Sequence, residues 1–234
     1  MATNRIQPGV VLQPRELHNI DTERVRVPDR EGLVHLQFRR FAGCPVCNLH
    51  LRSFVERYSE ITAASIREVI VFHSRQEELK LHAKDLPFEV IADPDKHLYA
   101  EFGVDAAYAA IFDPRAWLPI VRGIGRSLLA IARGKESFPA VNPAGGRFGL
   151  PADFLIAPDG TVLACKYGVH AYDQWSVDEM LALARESAAI RRQVHRSSDM
   201  GSGPVTDRPV RIVRDLAPLE PGKFHCCPRH DGPV

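Results

Sequence analysis

The sequence predicts an α/β fold in which a central mixed sheet is flanked by helices. Three features indicate this: continuous apolar runs typical of buried strands, amphipathic runs of helical period between them, and a strong turn signal late in the core. With 234 residues, of which 45% are hydrophobic and 25% charged, the chain is long enough for one buried core with appendages.

The first half of the core alternates predicted strands and helices. Residues 1–32, rich in Pro, Arg, Asp and Glu, are expected to form an N-terminal arm or hairpin ahead of a core that spans residues 33–190. The expected elements are, in chain order, a strand over Leu33–Phe41, a helix over Pro45–Ala64, a strand over Val69–Phe72, a helix through Ala83 with Ser74 and Glu77 as its capping box, a strand over Phe88–Ile91 and a helix over Lys96–Phe102.

The segment from about 105 to 149 is predicted to be an insertion. Arginines alternate there with apolar residues, and Pro119, Gly123 and Gly125 favour two short helices over one straight helix. We expect a lid over the core or a subunit contact, which would allow a homodimer. A segment resting on a membrane surface is the alternative.

A hairpin and a closing helix complete the predicted core. Two apolar runs flank the turn signal Ala157-Pro158-Asp159-Gly160, and Ser176, with Glu179 at the capping-box position, should begin a helix that ends at Ala189. Parallel strands joined by a helix, further α/β units, a hairpin and a last helix describe a thioredoxin-like fold. Residues 191–234 are dominated by Ser, Gly, Pro, Asp and Arg, and a mobile tail is expected there.

A short turn with two cysteines joins the first core strand to the first helix. Cys44 and Cys47 are three residues apart at the start of that helix, so both sulfur atoms should face the same way. Free amide N–H groups and the helix dipole stabilise a thiolate there, and Arg39 and Arg40 add positive charge. Pro45 occupies the first helical position, where its missing N–H costs nothing. The pattern favours redox chemistry over zinc, because no second C-x-x-C is present.

The order of the motifs resembles the peroxiredoxin-like proteins of the AhpC/TSA type, in the thioredoxin superfamily, over about residues 33–190. The matching segments are Phe41-Ala42-Gly43-Cys44-Pro45-Val46-Cys47, Val69-Ile70-Val71-Phe72-His73-Ser74, Pro87-Phe88-Glu89-Val90-Ile91-Ala92-Asp93-Pro94, and Ala152-Asp153-Phe154-Leu155-Ile156-Ala157-Pro158-Asp159-Gly160. This resemblance implies a thiol oxidoreductase that needs no cofactor, acts on a peroxide or a disulfide, and is recycled by a thiol reductant of the thioredoxin or glutathione type.

The cysteine motif departs from that of typical peroxiredoxins. Cys47 matches their peroxide-attacking cysteine, and Cys44 stands where they have Thr or Ser. Arg40 stands where they have a proline, and Pro151 lies about where they have a late arginine. Pro151 also matches the proline that packs against the cysteine pair in thioredoxin-like folds. Because the proline and arginine are missing, we expect slow peroxide reduction and better thiol–disulfide exchange.

Two orders of attack remain open from the sequence. In the exchange hypothesis Cys44 is an exposed nucleophile that attacks a disulfide, and Cys47 resolves the mixed disulfide. In the peroxidase hypothesis Cys47 attacks the peroxide and becomes a sulfenic acid, with which Cys44 condenses. Both end in the same Cys44–Cys47 disulfide.

Other residues are weaker candidates. His73, after the second core strand, is a candidate proton-transfer group, against a role as a hydrogen-bonded structural residue. His50, one turn after Cys47, is expected either to face the same pocket or to lie on the surface. Cys165 is expected to be a buried inert thiol, and Asp153 to face solvent.

The run His225-Cys226-Cys227-Pro228-Arg229-His230 near the end of the chain allows three interpretations. Cys226 and Cys227 could relay electrons to the core disulfide, or bind a soft metal together with His225 and His230; a silent tail is the simpler expectation. The alternative function is a non-catalytic thioredoxin-fold binding protein in which the cysteines and this tail hold a metal or a partner.

Charge and hydropathy limit the class of partner. A net charge of +1 argues against nucleic acid as the main partner. The first thirty residues lack the pattern of a signal peptide, and no apolar run approaches the length of a membrane span, so a cytoplasmic location is expected.

Overall fold

The computed structural model describes residues 5–83, 85–104, 121, 125 and 149–199, without the side chains of residues 192–199. Twelve elements are present in this part of the chain. In order they are β1 (Arg15–His18), β2 (Arg24–Val27), β3 (Leu33–Arg39), α1 (Pro45–Glu56), α2 (Tyr58–Ala63), β4 (Ile66–Phe72), α3 (Gln76–His82), β5 (Glu89–Ala92), α4 (His97–Glu101), β6 (Ala152–Ile156), β7 (Val162–Tyr167) and α5 (Val177–Asp199).

A five-stranded mixed sheet, in the order β5-β4-β3-β6-β7, forms the centre of the fold. The strands β3, β4 and β5 are parallel to one another, whereas β6 runs antiparallel to β3 and to β7. The expected mixed sheet flanked by helices is therefore confirmed. A separate antiparallel hairpin, β1 with β2, precedes the sheet.

Both faces of the sheet are covered, which explains why its central strands are continuously buried. One face packs against α1, α2, α3 and α5 through Leu51, Phe54, Ile61, Leu79 and Met180. The opposite face packs against α4 and the N-terminal hairpin. Phe38 and Phe154 of the sheet belong to the same hydrophobic cluster there as Tyr99 of α4 and Val25 of the hairpin. Because strand side chains alternate between faces, odd-numbered β3 residues from His35 to Arg39 point towards the α1 side.

Two predicted helices near the cysteine turn differ in detail from the sequence-based expectation. The single helix expected over Pro45–Ala64 is divided into α1 and α2, because the backbone leaves helical geometry at Arg57. The predicted Ser74 cap of α3 is wrong: Arg75 is the N-cap, and the Ser74 hydroxyl accepts a hydrogen bond from the Ala42 amide instead.

The capping box of the last helix is confirmed. The Ser176 hydroxyl accepts from the Glu179 amide at 3.2 Å, and the Glu179 carboxylate accepts from the Ser176 amide at 2.7 Å. The helix then continues past Ala189 to Asp199. The predicted insertion lies outside the described residues except for Val121, Gly125 and Gly149. In the described part of the chain, no helix combines the length and apolarity that crossing a membrane requires.

Candidate functional site

The cysteine turn is held in place by its own backbone and by residues that follow β4. Gly43 has a φ of 73°, a conformation that favours glycine, and a Cβ there would lie 3.0 Å from Cε1 of His82. The Ala42 amide donates to the Ser74 hydroxyl at 2.9 Å, and the Cys44 amide donates to the Phe41 carbonyl at 3.2 Å. These bonds fix where α1 begins.

Both cysteine thiols are free and almost completely buried. Cys44 is the N-cap of α1, and Cys44 and Cys47 are each 1% exposed. They form a small apolar cluster with Phe41 and Val46, on which the ring of Tyr172 packs. The expectation that Cys44 is an exposed nucleophile is therefore wrong, because this cluster encloses its sulfur atom.

The two thiols are electrostatically unequal. A hydrogen bond from the Cys47 thiol, together with the Arg40 guanidinium and the amides of Val46 and Cys47, outweighs burial and lowers the pKa of Cys44 to about 6. The interaction with Cys44, together with burial, raises the pKa of Cys47 well above its ordinary value. The site thus favours a thiolate on Cys44 and a protonated thiol on Cys47.

The two neighbouring arginines have different surroundings. Arg40 Nη1 lies 3.8 Å from Cys44 Sγ, and its guanidinium stands 5.4 Å above the ring of Phe41. Arg39, on the α1 side of the sheet, donates instead from Nη2 to Asp153 at 2.6 Å and to Gln37 at 2.5 Å. Of the two, Arg40 is the cation that acts on the Cys44 sulfur.

A buried polar network surrounds Asp153, which is 0% exposed, so the expectation that it faces solvent is wrong. Besides Arg39, it receives a hydrogen bond from the Trp175 amide at 3.2 Å, and His35 Nε2 lies 3.3 Å from its Oδ1. His35 Nδ1 lies 2.8 Å from Glu68, to which Gln37 also donates.

The two carboxylates of this network hold His35 in its charged form. Burial lowers the pKa of His35, but Glu68 and Asp153 outweigh it and raise the pKa to about 9. Burial likewise raises the pKa of Asp153, but Arg39 and His35 together bring it well below its usual range. His35 and Asp153 therefore carry opposite charges at neutral pH.

His50 is buried, so a surface role is excluded. It is 5% exposed, its Nε2 bonds to the Trp175 carbonyl at 2.8 Å, and its ring contacts Phe54 and Tyr172. Burial, together with the charge of Arg39, lowers the pKa of His50 to about 3. This histidine is therefore neutral at physiological pH.

His73 and Pro151 are also buried. The His73 amide donates to the Arg40 carbonyl at 3.2 Å, and its ring contacts that of Tyr99. A Cβ at Gly149 would lie 2.9 Å from His73 Nε2, so only glycine fits there without a shift. Pro151 precedes β6, and its carbonyl accepts from the Gly168 amide at 2.9 Å.

The remaining candidate residues either lie away from the cysteine cluster or fall outside the residues that the structure describes. Cys165 is buried as expected, and its thiol lies 3.5 Å from the Ile6 carbonyl. His225, Cys226, Cys227 and His230 lie outside the described residues. Within the described ranges, no three His, Cys, Asp or Glu side chains are grouped closely enough to hold a metal ion.

Sequence reasoning missed the roles of His35, Gln37, Glu68 and Tyr172. A signal was present for two of them: His35 and Gln37 alternate with Val34, Leu36 and Phe38, which places polar side chains on one face of a strand that was predicted to be buried. Glu68 and Tyr172 carried no such signal, because their neighbours come from other elements of the fold.

Comparison with known families gives one match. The model of the family described as AhpC/TSA antioxidant enzyme matches residues 53–170, a segment that begins after both Cys44 and Cys47. No curated protein sequence matches the chain.

Solved structures share the fold at low sequence identity. Peroxidoxin BcpB from Mycobacterium tuberculosis is 17% identical with a TM-score of 0.55, over 78% of this chain and 98% of that one. Peroxiredoxin 6 of Arenicola marina is 13% identical with a TM-score of 0.55, over 77% and 72% of the two chains. The reduced 2-Cys peroxiredoxin of Plasmodium vivax is 12% identical with a TM-score of 0.54, over 80% and 84%. The fold is therefore that of thioredoxin-like peroxiredoxins.

Proposed function

Since the chain belongs to the AhpC/TSA antioxidant enzyme family, we propose that it is a thiol oxidoreductase whose Cys44 and Cys47 alternate between dithiol and disulfide. The matched segment begins at residue 53, so the assignment of this pair rests on the geometry of the turn rather than on the family match. One observation carries it: two enclosed, adjacent thiols have pKa values displaced in opposite directions.

The opposite displacements support Cys44 as the attacking thiol and Cys47 as the resolving thiol. A thiolate is the nucleophile in disulfide exchange, and a pKa of about 6 leaves Cys44 mostly ionised at neutral pH. Cys47, whose pKa is raised, remains protonated until the second step.

With a disulfide substrate, Cys44 attacks one sulfur, the other sulfur leaves as a thiolate, and a mixed disulfide remains. Cys47 then attacks the Cys44 sulfur and releases the second thiol, so that the protein is oxidised by two electrons and the substrate is reduced by two. With a peroxide, Cys44 becomes a sulfenic acid, an alcohol or water leaves, and condensation with Cys47 releases water. A small thiol or a thioredoxin-type reductant restores the dithiol.

The enclosure of the site favours small oxidised substrates. Cys44 and Cys47 are each 1% exposed and belong to the apolar cluster on which Tyr172 packs, so a disulfide on the surface of a folded protein could reach Cys44 only after the residues around it move. We therefore propose a low-molecular-weight disulfide, rather than a protein disulfide, as the substrate. We also keep slow peroxide reduction as the expectation, because the peroxiredoxin proline and late arginine are missing.

A trapping experiment with oxidised glutathione tests the order of attack. The Cys47→Ser variant should accumulate one glutathione on Cys44, identified by peptide mass spectrometry, because the resolving sulfur is gone. Cys44→Ser should accumulate none, and Cys165→Ser, the matched control at a buried cysteine outside the cluster, should cycle like the parent. Rapid peroxide consumption that survives Cys44→Ser but not Cys47→Ser would reverse the two roles. Absence of any adduct or turnover would leave a binding protein as the better hypothesis.

A further inference from the structure

We propose that the ring of Tyr172 selects the substrates of Cys44 by size: it admits low-molecular-weight disulfides and excludes those with bulky groups beside their sulfur atoms. The inference rests on the proposed function, because it concerns the disulfides that the same cysteine attacks. It deepens that function by assigning the selection to one side chain. Tyr172 lies after the segment that the family model matches, residues 53–170, so the family match carries no information about this role.

Tyr172 is the half-buried neighbour of an otherwise buried cluster. Its side chain packs against the cluster of Phe41, Cys44, Val46 and Cys47, each of which is at most 7% exposed, whereas Tyr172 itself is only partly buried. One side of the ring therefore contacts the cysteine cluster, and another is accessible to solvent. A disulfide that approaches the cluster from this side meets the ring before it meets a sulfur atom.

The ring of Tyr172 is also held from the side of α1. Its centroid lies 6.3 Å from that of His50, with the two ring planes at 88°, which is the edge-to-face arrangement that aromatic pairs prefer. His50 is itself 5% exposed, and its Nε2 bonds to the Trp175 carbonyl at 2.8 Å. Because His50 is fixed in this way, its contact with Tyr172 favours one position of the tyrosine ring.

Hydrogen bonds within the loop of residues 168–175 fix its shape. This loop joins β7 to α5 and carries Tyr172. The Asp173 carboxylate accepts from the Val169 amide at 3.0 Å, and the Asp173 amide donates to the His170 carbonyl at 3.1 Å. The Tyr172 amide donates to Nδ1 of His170 at 3.3 Å. The backbone on both sides of Tyr172 is therefore held by the loop itself.

Both ends of this loop are anchored beside β6. The Gly168 amide donates to the Pro151 carbonyl at 2.9 Å, and a Cβ at Gly168 would lie 2.7 Å from Pro151 Cγ, so only glycine fits there without a shift. At the other end, the Trp175 amide donates to Asp153 of β6 at 3.2 Å. A loop that is anchored at both ends and bonded internally holds Tyr172 as a fixed wall rather than as a mobile lid.

A fixed wall beside the nucleophile discriminates by size. The bond that forms between Cys44 and the substrate sulfur is about 2 Å long, so the groups on that sulfur have to fit next to the cysteine cluster. In oxidised glutathione a flexible chain carries the sulfur, whereas in a folded protein backbone and neighbouring side chains surround it. A clash with the larger disulfide is enough to produce specificity, without any stronger contact to the smaller one.

Two reagents with the same reactive group measure the size limit without any disulfide chemistry. They are iodoacetamide and its bulky pyrenyl derivative, and mass spectrometry identifies the alkylation of Cys44. Each rate is divided by that of the same reagent with free glutathione. Because both reagents act on the same thiolate, a change in the pKa of Cys44 cancels in the ratio of the two normalised rates.

Three variants change the ring, and one leaves it in place. Tyr172→Ala removes the ring, Tyr172→Trp enlarges it without leaving a cavity, and Tyr172→Phe removes only the hydroxyl. Val169→Ala, at a 47% exposed position in the same loop, is the matched control. Thermal unfolding of each variant shows whether the fold is retained.

We expect Tyr172→Ala to raise the ratio of pyrenyl to iodoacetamide alkylation about tenfold, because the larger group then finds space beside the cluster. Tyr172→Trp should lower the ratio, whereas Tyr172→Phe and Val169→Ala should keep that of the parent. The rate of insulin reduction, relative to that of oxidised glutathione, should change in the same directions, since insulin presents its disulfides within a folded protein.

An unchanged alkylation ratio in both Tyr172→Ala and Tyr172→Trp would overturn the proposal. An equal rise in the rates of both reagents in Tyr172→Ala would do so as well, because the ring would then limit access without regard to size. The same shift in Val169→Ala would attribute the effect to a loosened loop instead of the ring. If the alkylation ratios shift as expected but no protein in the series reduces either disulfide, the proposed function fails and the size limit stands.

Discussion

Arg39 and Asp153 form an ion pair in which both side chains are 0% exposed, with Nη2 and Oδ1 2.6 Å apart. The pair joins β3 to β6, its antiparallel neighbour in the sheet, on the face covered by α1. Asp153 also accepts from the Trp175 amide, whose carbonyl binds His50. One buried carboxylate therefore connects the sheet to the helix that carries the cysteines.

Removing one member of this pair should be strongly destabilising. Asp153→Ala leaves the Arg39 guanidinium buried without its carboxylate, which costs roughly 3–5 kcal/mol of unfolding free energy. Denaturant unfolding measures the loss. Asp178→Ala is the matched control, because it breaks an ion pair with Arg57 whose two side chains are 33% and 81% exposed, and a much smaller loss is expected there because solvent screens an exposed pair. Equal losses in the two variants would contradict the assignment of Asp153 to a closed network.

His35 should make stability fall at alkaline pH. Its pKa is raised from 6.5 to about 9, so its contribution is fully present below the unfolded pKa and is lost as the pH rises through 9. The contribution is on the order of 3 kcal/mol. The unfolding free energy of the parent should decline between about pH 6 and pH 10 by more than that of His35→Gln, which lacks the titrating ring. Parallel pH profiles would mean that His35 is not charged in the folded protein.

The Cys44 thiol should be acidic, with Arg40 as one cause. The measurement is the rate of iodoacetamide alkylation of Cys44 as a function of pH, with the modified cysteine identified by mass spectrometry. Cys47 is kept in every protein compared, because Cys47→Ser would remove the hydrogen bond from the Cys47 thiol to Cys44. The pH midpoint of alkylation should lie near 6 in the parent and about one pH unit higher in Arg40→Met. Arg40→Lys, which keeps the charge, should move it less. A parent midpoint at or above that of a free thiol, about 8.5, would contradict a stabilised thiolate.

Ser176 should stabilise the start of α5 as a reciprocal cap. Ser176→Ala removes the acceptor for the Glu179 amide and should lower the unfolding free energy by about 1 kcal/mol. Thermal unfolding followed by circular dichroism measures this loss. Ser176→Asp, which retains an oxygen acceptor at the N-cap, should recover most of it. A loss of the same size in the aspartate variant would show that the hydroxyl acts in another way.

The sequence was sufficient for the mixed sheet, the β6–β7 hairpin and the cysteine turn at the start of α1. These depend on local patterns: apolar runs such as Val69–Phe72, the Asp159-Gly160 turn, and the Ser176–Glu179 capping box. Each pattern consists of residues that are close in the chain. Their conformational preferences for strand, turn or helix therefore do not depend on tertiary contacts.

Only the tertiary structure decided which polar residues are enclosed and which of them act on one another. Asp153 has the alternating pattern of a solvent-facing residue, yet Arg39, His35 and the Trp175 amide surround it, because β6 lies beside β3 beneath α1. Cys44 likewise follows a motif typical of exposed thiols, but Tyr172, far along the chain, helps to enclose it. Burial and charge pairing depend on three-dimensional proximity between residues over a hundred positions apart, and no local pattern records such proximity.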